Sequence, residues 1–203
     1  MSGATTRAHI VDAADQLFYQ HGYEHTSFAA IADAVQLSRG NFYYHFKSKD
    51  DILDAVISAR LARTKHMLEQ WEAEEVDPAC RVRKFVHILL TNRVDIQSYG
   101  CPVGTLTTEL AKLRHASFAE ANGLFTLFRA WLRDQFVLLG HDAAADSLAM
   151  HLLAFSQGVA TLANAFLDEE FVRREVQQMC DWLSAQTATA ERGVHGRHEQ
   201  TSA

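Results

Sequence analysis

Proline is almost absent from this chain: Pro78 and Pro102 are the only two in 203 residues, alongside ten glycines. So few breakers argue against many short, turn-linked pieces and favour long helices. Cysteine is scarce too. Cys80, Cys101 and Cys180 are odd in number and widely spaced. That fits neither a disulfide framework nor a zinc site and points to a reducing compartment, the cytoplasm. Residues 1–7 are polar and the next segment is amphipathic, so no signal peptide is expected. Charge is missing from one stretch, residues 148–167, which has no Asp, Glu, Lys or Arg. Its length matches a membrane span, but it holds His151, Ser156, Gln157, Thr161 and Asn164. Polar groups at that density are costly in lipid, so the stretch reads as a helix buried against a partner subunit.

What is present in quantity is apolar surface. Hydrophobic residues make up 48% of the chain, enough for a substantial core in one compact domain or a small plus a larger one. The net charge of −6 does not suggest a nucleic-acid binder, yet binding depends on local field rather than on the total. Between Gln36 and Lys49 the formal charges are Arg39, Lys47 and Lys49, with no acid among them, and His45 can add to them.

The first fifty residues have a clear pattern. Ile10, Ala13, Ala14, Leu17 and Phe18 form one apolar face of a helix over residues 6–21, ended by Gly22. A second, short helix starts near Thr26 or Ser27 and repeats the pattern with Phe28, Ile31, Ala32 and Val35. The turn Gln36-Leu37-Ser38 leads to a third helix over residues 39–46. Ser38 caps it, and Leu37 with Phe42 has the spacing of a hydrophobic staple. Two short helices joined by a tight capped turn predict a helix-turn-helix.

At about 100° per residue, Phe42 and Phe46 share the core side of the third helix, while Gly40, Tyr43 and Tyr44 lie opposite. Gly40 lets the backbone approach base edges, and the tyrosines offer flat apolar surface with hydroxyls for phosphate. Arg39 suits guanine and Asn41 suits adenine. The alternative is that Tyr43 and Tyr44 pack between the first and fourth helices. Ser48 with Asp51 comes close to a capping box at the fourth helix. Its N-terminal amides and Lys49 make one predicted phosphate site; Thr26 and Ser27, at the second helix, make another.

The stretch TSFAAIADAVQLSRGNFYYHFKSKD over residues 26–50, with AADQLFYQHGY over residues 13–23, resembles the DNA-binding segment of the TetR family of regulators. The likeness covers roughly residues 10–57; the rest of the chain is similar only in length and helical character. The resemblance implies DNA contacts from Thr26, Ser38, Arg39, Gly40, Asn41, Tyr43, Tyr44, His45 and Lys49. Arg39, Gly40 and Asn41 are then the candidates for base readout, and Tyr43, Tyr44, His45 and Lys49 for phosphate.

His21, Glu24 and His25 match a protease zinc pattern, H-x-x-E-H. Gly22 falls between them at a helix end, which separates the faces that such a site needs to join, so no metal is expected. Beyond residue 50, helices are predicted over residues 51–73, 78–97, from Cys101-Pro102 onward, 116–139, 144–167 and 169–186. From Thr187 the chain turns polar and is expected to fray. The expected fold is all-α with about nine helices. A helix-turn-helix domain would occupy residues 1–50, a helical ligand-binding and dimerisation domain residues 51–186, and a polar tail residues 187–203.

The resemblance implies a homodimer paired through the two C-terminal helices, and the uncharged stretch 148–167 supports that independently. A small-molecule effector would be bound in the larger domain, with double-stranded DNA as operator. Trp71, Phe85, Phe125, Phe128 and Phe155 are candidate wall residues, with plain core packing as the alternative. Arg93, Arg129 and His151 either bind polar groups of the effector or face solvent. Cys101 stands at a predicted helix N-terminus in GCPVG, residues 100–104, a stretch similar to one in some TetR-type regulators. It is either an electrophile- or oxidant-responsive thiol or a buried capping residue. No activated nucleophile, phosphate loop or metal set is visible, so neither an enzyme nor a cofactor is expected. The expected activity is that of a repressor released by a small molecule.

Overall fold

The computed structural model describes the backbone of residues 3–199 and the side chains of residues 4–187 apart from Arg39. The described residues form α-helices and no strand. These are α1 (Gly3–His21), α2 (Phe28–Ala34), α3 (Arg39–His45), α4 (Lys49–Glu74), α5 (Pro78–Thr91), α6 (Arg93–Tyr99), α7 (Pro102–Leu113), α8 (Phe118–Leu138), α9 (Ala145–Phe166) and α10 (Glu169–Glu199).

The caps predicted at Ser27, Ser38 and Ser48 form, and Asp77 adds one not predicted from the sequence. Ser27, Ser38 and Asp77 each accept a backbone N–H in the first turn of α2, α3 and α5. At α4 the capping box is reciprocal: Asp51 N–H donates to Ser48 Oγ and Ser48 N–H to Asp51 Oδ2, both at 3.0 Å. The helix expected over residues 78–97 is instead two. Asn92 (φ −103°, ψ 17°) ends α5 and begins α6 with no side-chain cap. At the other end of the chain, α10 continues to Glu199 rather than ending at Gln186; residues 200–203 of the expected tail lie outside the described residues.

The chain divides into two compact units. One comprises Met1–His66 with Cys101–Leu124, the other Met67–Gly100 with Phe125–Ala203. The unit that holds α1–α3 also takes in α4 as far as His66, all of α7 and the first turns of α8. Its core joins Ile10, Phe18, Ile31, Phe42, Phe46 and Ile52 to Leu106 and Leu110 of α7. Burying such side chains contributes about 1.5–3 kcal/mol each. That is how α2 and α3, two turns apiece and marginal alone, are held.

In the second unit α5 packs on α9 and α10, and α6 on α9. Its buried residues include Val82, Phe85, Leu89, Leu132, Phe136, Leu152, Val159, Val176 and Leu183. α9 buries Leu152, Ser156, Val159 and Ala163 on one side, while Met150, Leu162 and Phe166 stay exposed elsewhere on the helix. The uncharged stretch thus buries one face and leaves several large apolar side chains exposed. Among the described residues no helix is long and apolar enough to cross a membrane.

Candidate nucleic-acid interface

The helix-turn-helix forms as its sequence dictates. Ser27 sits in extended conformation (φ −85°, ψ 155°) and accepts the Ala30 N–H at 3.0 Å. Ser38 does the same for Asn41 at 3.4 Å. Between them Gln36 takes a left-handed φ of 54°, bonding its N–H to the Asp33 carbonyl, so the turn closes without a glycine. Leu37 packs on the same core as fully buried Phe42, as the staple requires.

α3 then has two unlike faces. Phe42 and Phe46 are buried, whereas Gly40, Asn41, Tyr43 and Tyr44 are exposed, Tyr44 to 77%. Nothing lies within 4 Å of where a Gly40 Cβ would stand. The tyrosines are not packed between α1 and α4. Tyr43 is half exposed and rests its ring on Phe28 of α2, 5.1 Å between centroids, and Tyr44 meets His45. Exposed aromatic rings held on one helix face are suited to a planar or anionic partner, not to the core. The side chain of Arg39 lies outside the described residues.

Three predicted contacts are placed differently from expectation. Thr26 is buried, and its hydroxyl donates to the Gly22 and Leu17 carbonyls, tying the end of α1 rather than presenting an oxygen to solvent. Lys49 donates to the Tyr23 carbonyl at 2.9 Å and lies over the Tyr23 ring. The amides of Lys47 and Ser48 are taken by Asp51, so a carboxylate already stands at the predicted phosphate site of α4. Ser27, Ser38, Gly40, Asn41, Tyr43 and Tyr44 remain exposed together.

Behind this face lies a polar scaffold that has no signature in the sequence. Glu109 of α7 accepts the N–H groups of Tyr23 and Glu24, each at 2.9 Å. Gly22 has φ +83°, and a Cβ there would stand 3.0 Å from the Glu109 carboxylate, so the turn needs glycine for both conformation and space. The Tyr23 hydroxyl donates to Asp50 and lies 3.2 Å from His115 Nε2. Burial first, then the bond to Asp50, pushes the Tyr23 phenol well above its usual value. His115 Nδ1 accepts the Ser117 N–H, which leaves Nε2 to carry the ring proton. Arg60 joins Asp15 of α1, at 2.6 Å, to the Pro102 carbonyl at the start of α7. Apart from the His115–Ser117 bond, each contact pairs residues far apart in sequence, and no local pattern marks them.

The predicted effector residues fall in two places. Cys101 caps α7, its sulfur accepting the Gly104 N–H at 3.5 Å, and belongs to the unit of α1–α3. The others belong to the second unit. Phe85 and Phe128 meet edge to face at 5.5 Å, and Trp71 meets Trp131 at 5.8 Å. Phe125 and Phe155 are half-buried. The polar candidates are already partnered on the surface: Arg93 with Glu169, Arg129 with Asp146 through two bonds, and exposed His151 with the Trp182 ring. Nor does the zinc pattern assemble on one helix face, since His21 ends α1 and Glu24 and His25 lie in the turn beyond it.

The profile of bacterial regulatory proteins of the tetR family matches residues 10–56. The chain is 33% identical over 110 residues to an HTH-type transcriptional regulator of Lactococcus lactis, covering 53% of this chain and 56% of that protein. It is 35% identical over 164 residues to the HTH-type transcriptional regulator TtgR of Pseudomonas putida, covering 76% of this chain and 78% of TtgR. Among solved structures, a TetR transcriptional regulator from Legionella pneumophila superposes with a TM-score of 0.77 at 25% identity, over 90% of this chain and 97% of that one. With the exposed face of α3 and its capped turn, these matches show that the chain belongs to the TetR family of helix-turn-helix transcriptional regulators.

Proposed function

We propose that this regulator is a cytoplasmic repressor without catalytic activity. It grips an operator as a homodimer and releases it when a small molecule binds the second unit. The observation that carries the reading is the division of α3 into a buried phenylalanine face and an exposed Gly40-Asn41-Tyr43-Tyr44 face. Arg39, Gly40 and Asn41 read bases. Tyr43, Tyr44 and His45, with the caps of α2 and α3 at Ser27 and Ser38, hold phosphates; Lys49 and Thr26 support that surface from within. Residues 1–50 supply the reading head, and residues 51–186 the effector and dimer functions.

Dimerisation through α9 and α10 is supported by the exposed Met150, Leu162 and Phe166 on an uncharged helix. A two-fold protein can place two recognition helices in successive major grooves, about 34–36 Å apart. An effector releases DNA only by binding more tightly to a conformer in which that spacing is lost.

Fluorescence anisotropy on the intergenic DNA beside its own gene, against random DNA, tests this. Specific binding should exceed random binding by about 10³-fold or more and weaken steeply with salt. Tyr43→Ala should weaken both kinds of binding alike, whereas Asn41→Ala should chiefly relax base preference. Equal relative losses for both variants on both DNAs would contradict the assignment of roles.

A further inference from the structure

Trp131 is 8% exposed, and its indole Nε1–H finds no hydrogen-bond acceptor among the described residues. A buried donor left unmade costs about 1–3 kcal/mol, so it marks a place where a partner belongs. The ring is not in a closed core. It meets half-buried Trp71 edge to face. One turn earlier on α8, half-buried Phe128 meets Phe85 in the same way. Two aromatic pairs thus lie one turn apart along α8, each with one partly open ring, and the Trp131 donor between them finds no acceptor among the described residues.

The polar groups nearby are spent. Gln135, one turn after Trp131 and 1% exposed, accepts from Arg81 at 3.1 Å and donates to Glu72 at 3.2 Å. Arg81 is further bound to the Glu75 and Glu72 carbonyls. That guanidinium is not left over to balance a buried anion, and one neutral N–H cannot offset the desolvation of a carboxylate.

We infer that the Trp131 indole N–H is the specificity-determining donor of the effector site. It selects neutral aromatic molecules that carry a hydrogen-bond acceptor, such as a ketone, ester or ether oxygen. This deepens the proposed effector-released repressor and rests on it for its regulatory meaning. The donor is satisfied only when such an oxygen sits against the rings. A hydrocarbon of equal size gains the same apolar burial and leaves the donor unmade.

The test uses 2-acetylnaphthalene and 2-ethylnaphthalene, matched in ring and size and differing in the carbonyl, with equilibrium dialysis against the full-length protein. The wild type should bind the ketone about 10-fold more tightly, the range of one buried hydrogen bond. Trp131→Phe keeps an aromatic ring and removes the N–H, so it should erase the preference by weakening the ketone alone. Trp182→Phe, which removes an indole N–H outside the cluster, should keep it. In 15N spectra the indole signal missing from Trp131→Phe should move downfield in wild type with the ketone and not with the hydrocarbon.

A wild type without preference, including one that binds neither compound, overturns the inference, as does a preference that survives Trp131→Phe or disappears equally in Trp182→Phe. Dialysis needs no DNA. Failure of the repressor reading would therefore appear separately, as equal affinity of the ligand-free protein for operator and random DNA.

Discussion

In the unit that carries α3, Phe42 is fully buried, Ser27, Ser38 and Ser48 each cap a helix, and Glu109, Asp50 and His115 take up the groups behind the turn. In the unit that carries α9, Leu162 and Phe166 stand exposed, aromatic side chains along α8 are half-covered, and the buried N–H of Trp131 finds no acceptor among the described residues. The first unit satisfies itself and offers an outward polar-aromatic face. The second leaves apolar surface exposed and, among the described residues, buried donors unsatisfied, which accords with the proposal that it receives a second copy and a small molecule. The difference lies in how much of the interior one chain can complete.

The largest effect expected breaks the self-contained unit. Phe42→Ala removes a ring at 0% exposure that meets Phe28 at 4.8 Å. Loss of transfer energy and the cavity left behind should cost about 3–5 kcal/mol, a large share of a domain's stability. Urea unfolding should show that loss, with DNA binding lost alongside it. A cost under about 1 kcal/mol would mean that the α3 core is not the rigid support described.

The next tests the incompleteness of the other unit. Leu162→Asp places a charge on the exposed face of α9, where Leu162 is 43% exposed. The folded monomer tolerates it, whereas a second copy seated there would have to bury an unpaired carboxylate. Dimer dissociation should rise by about 100-fold or more, read by analytical ultracentrifugation, with helicity unchanged. A dimer of wild-type strength would remove α9 from the interface.

The same contrast governs what is legible in the sequence. Caps, staple and glycine turn are local, so Ser27, Ser38, the Ser48–Asp51 box and the two faces of α3 can be read from residue order alone. Tertiary pairings cannot. Thr26 has the chemistry of an exposed cap, but its hydroxyl turns inward because the Gly22 carbonyl, just past the end of α1, takes it as a donor. Glu109, His115 and Arg60 act across long separations and leave no periodic trace. The break at Asn92 is hidden for another reason: no proline or glycine marks it, and the apolar pattern runs on through Val94 and Ile96. Arg93, Arg129 and His151 read as polar groups on apolar helices, yet each has a neighbour that sequence spacing does not disclose.

The smallest effect expected concerns one of these. Arg129 makes two bonds to Asp146, at 2.8 and 2.6 Å, and holds its carboxyl below the usual range chiefly through that hydrogen bonding. A depressed carboxylate adds stability above its unfolded pKa and loses it as pH falls through the lower folded value. Here the side chains are 49% and 52% exposed, so water screens most of the attraction. Arg129→Ala should therefore leave the unfolding midpoint at neutral pH within measurement error. Any residual difference should shrink on acidification, and again in about 1 M salt, where charges are screened beyond about 3 Å. Ketone binding by the second unit should also be unaffected, since the guanidinium is engaged outside the ring cluster. A clear loss of ligand affinity with stability unchanged would return Arg129 to the effector site and show that its bond to Asp146 opens when a ligand arrives.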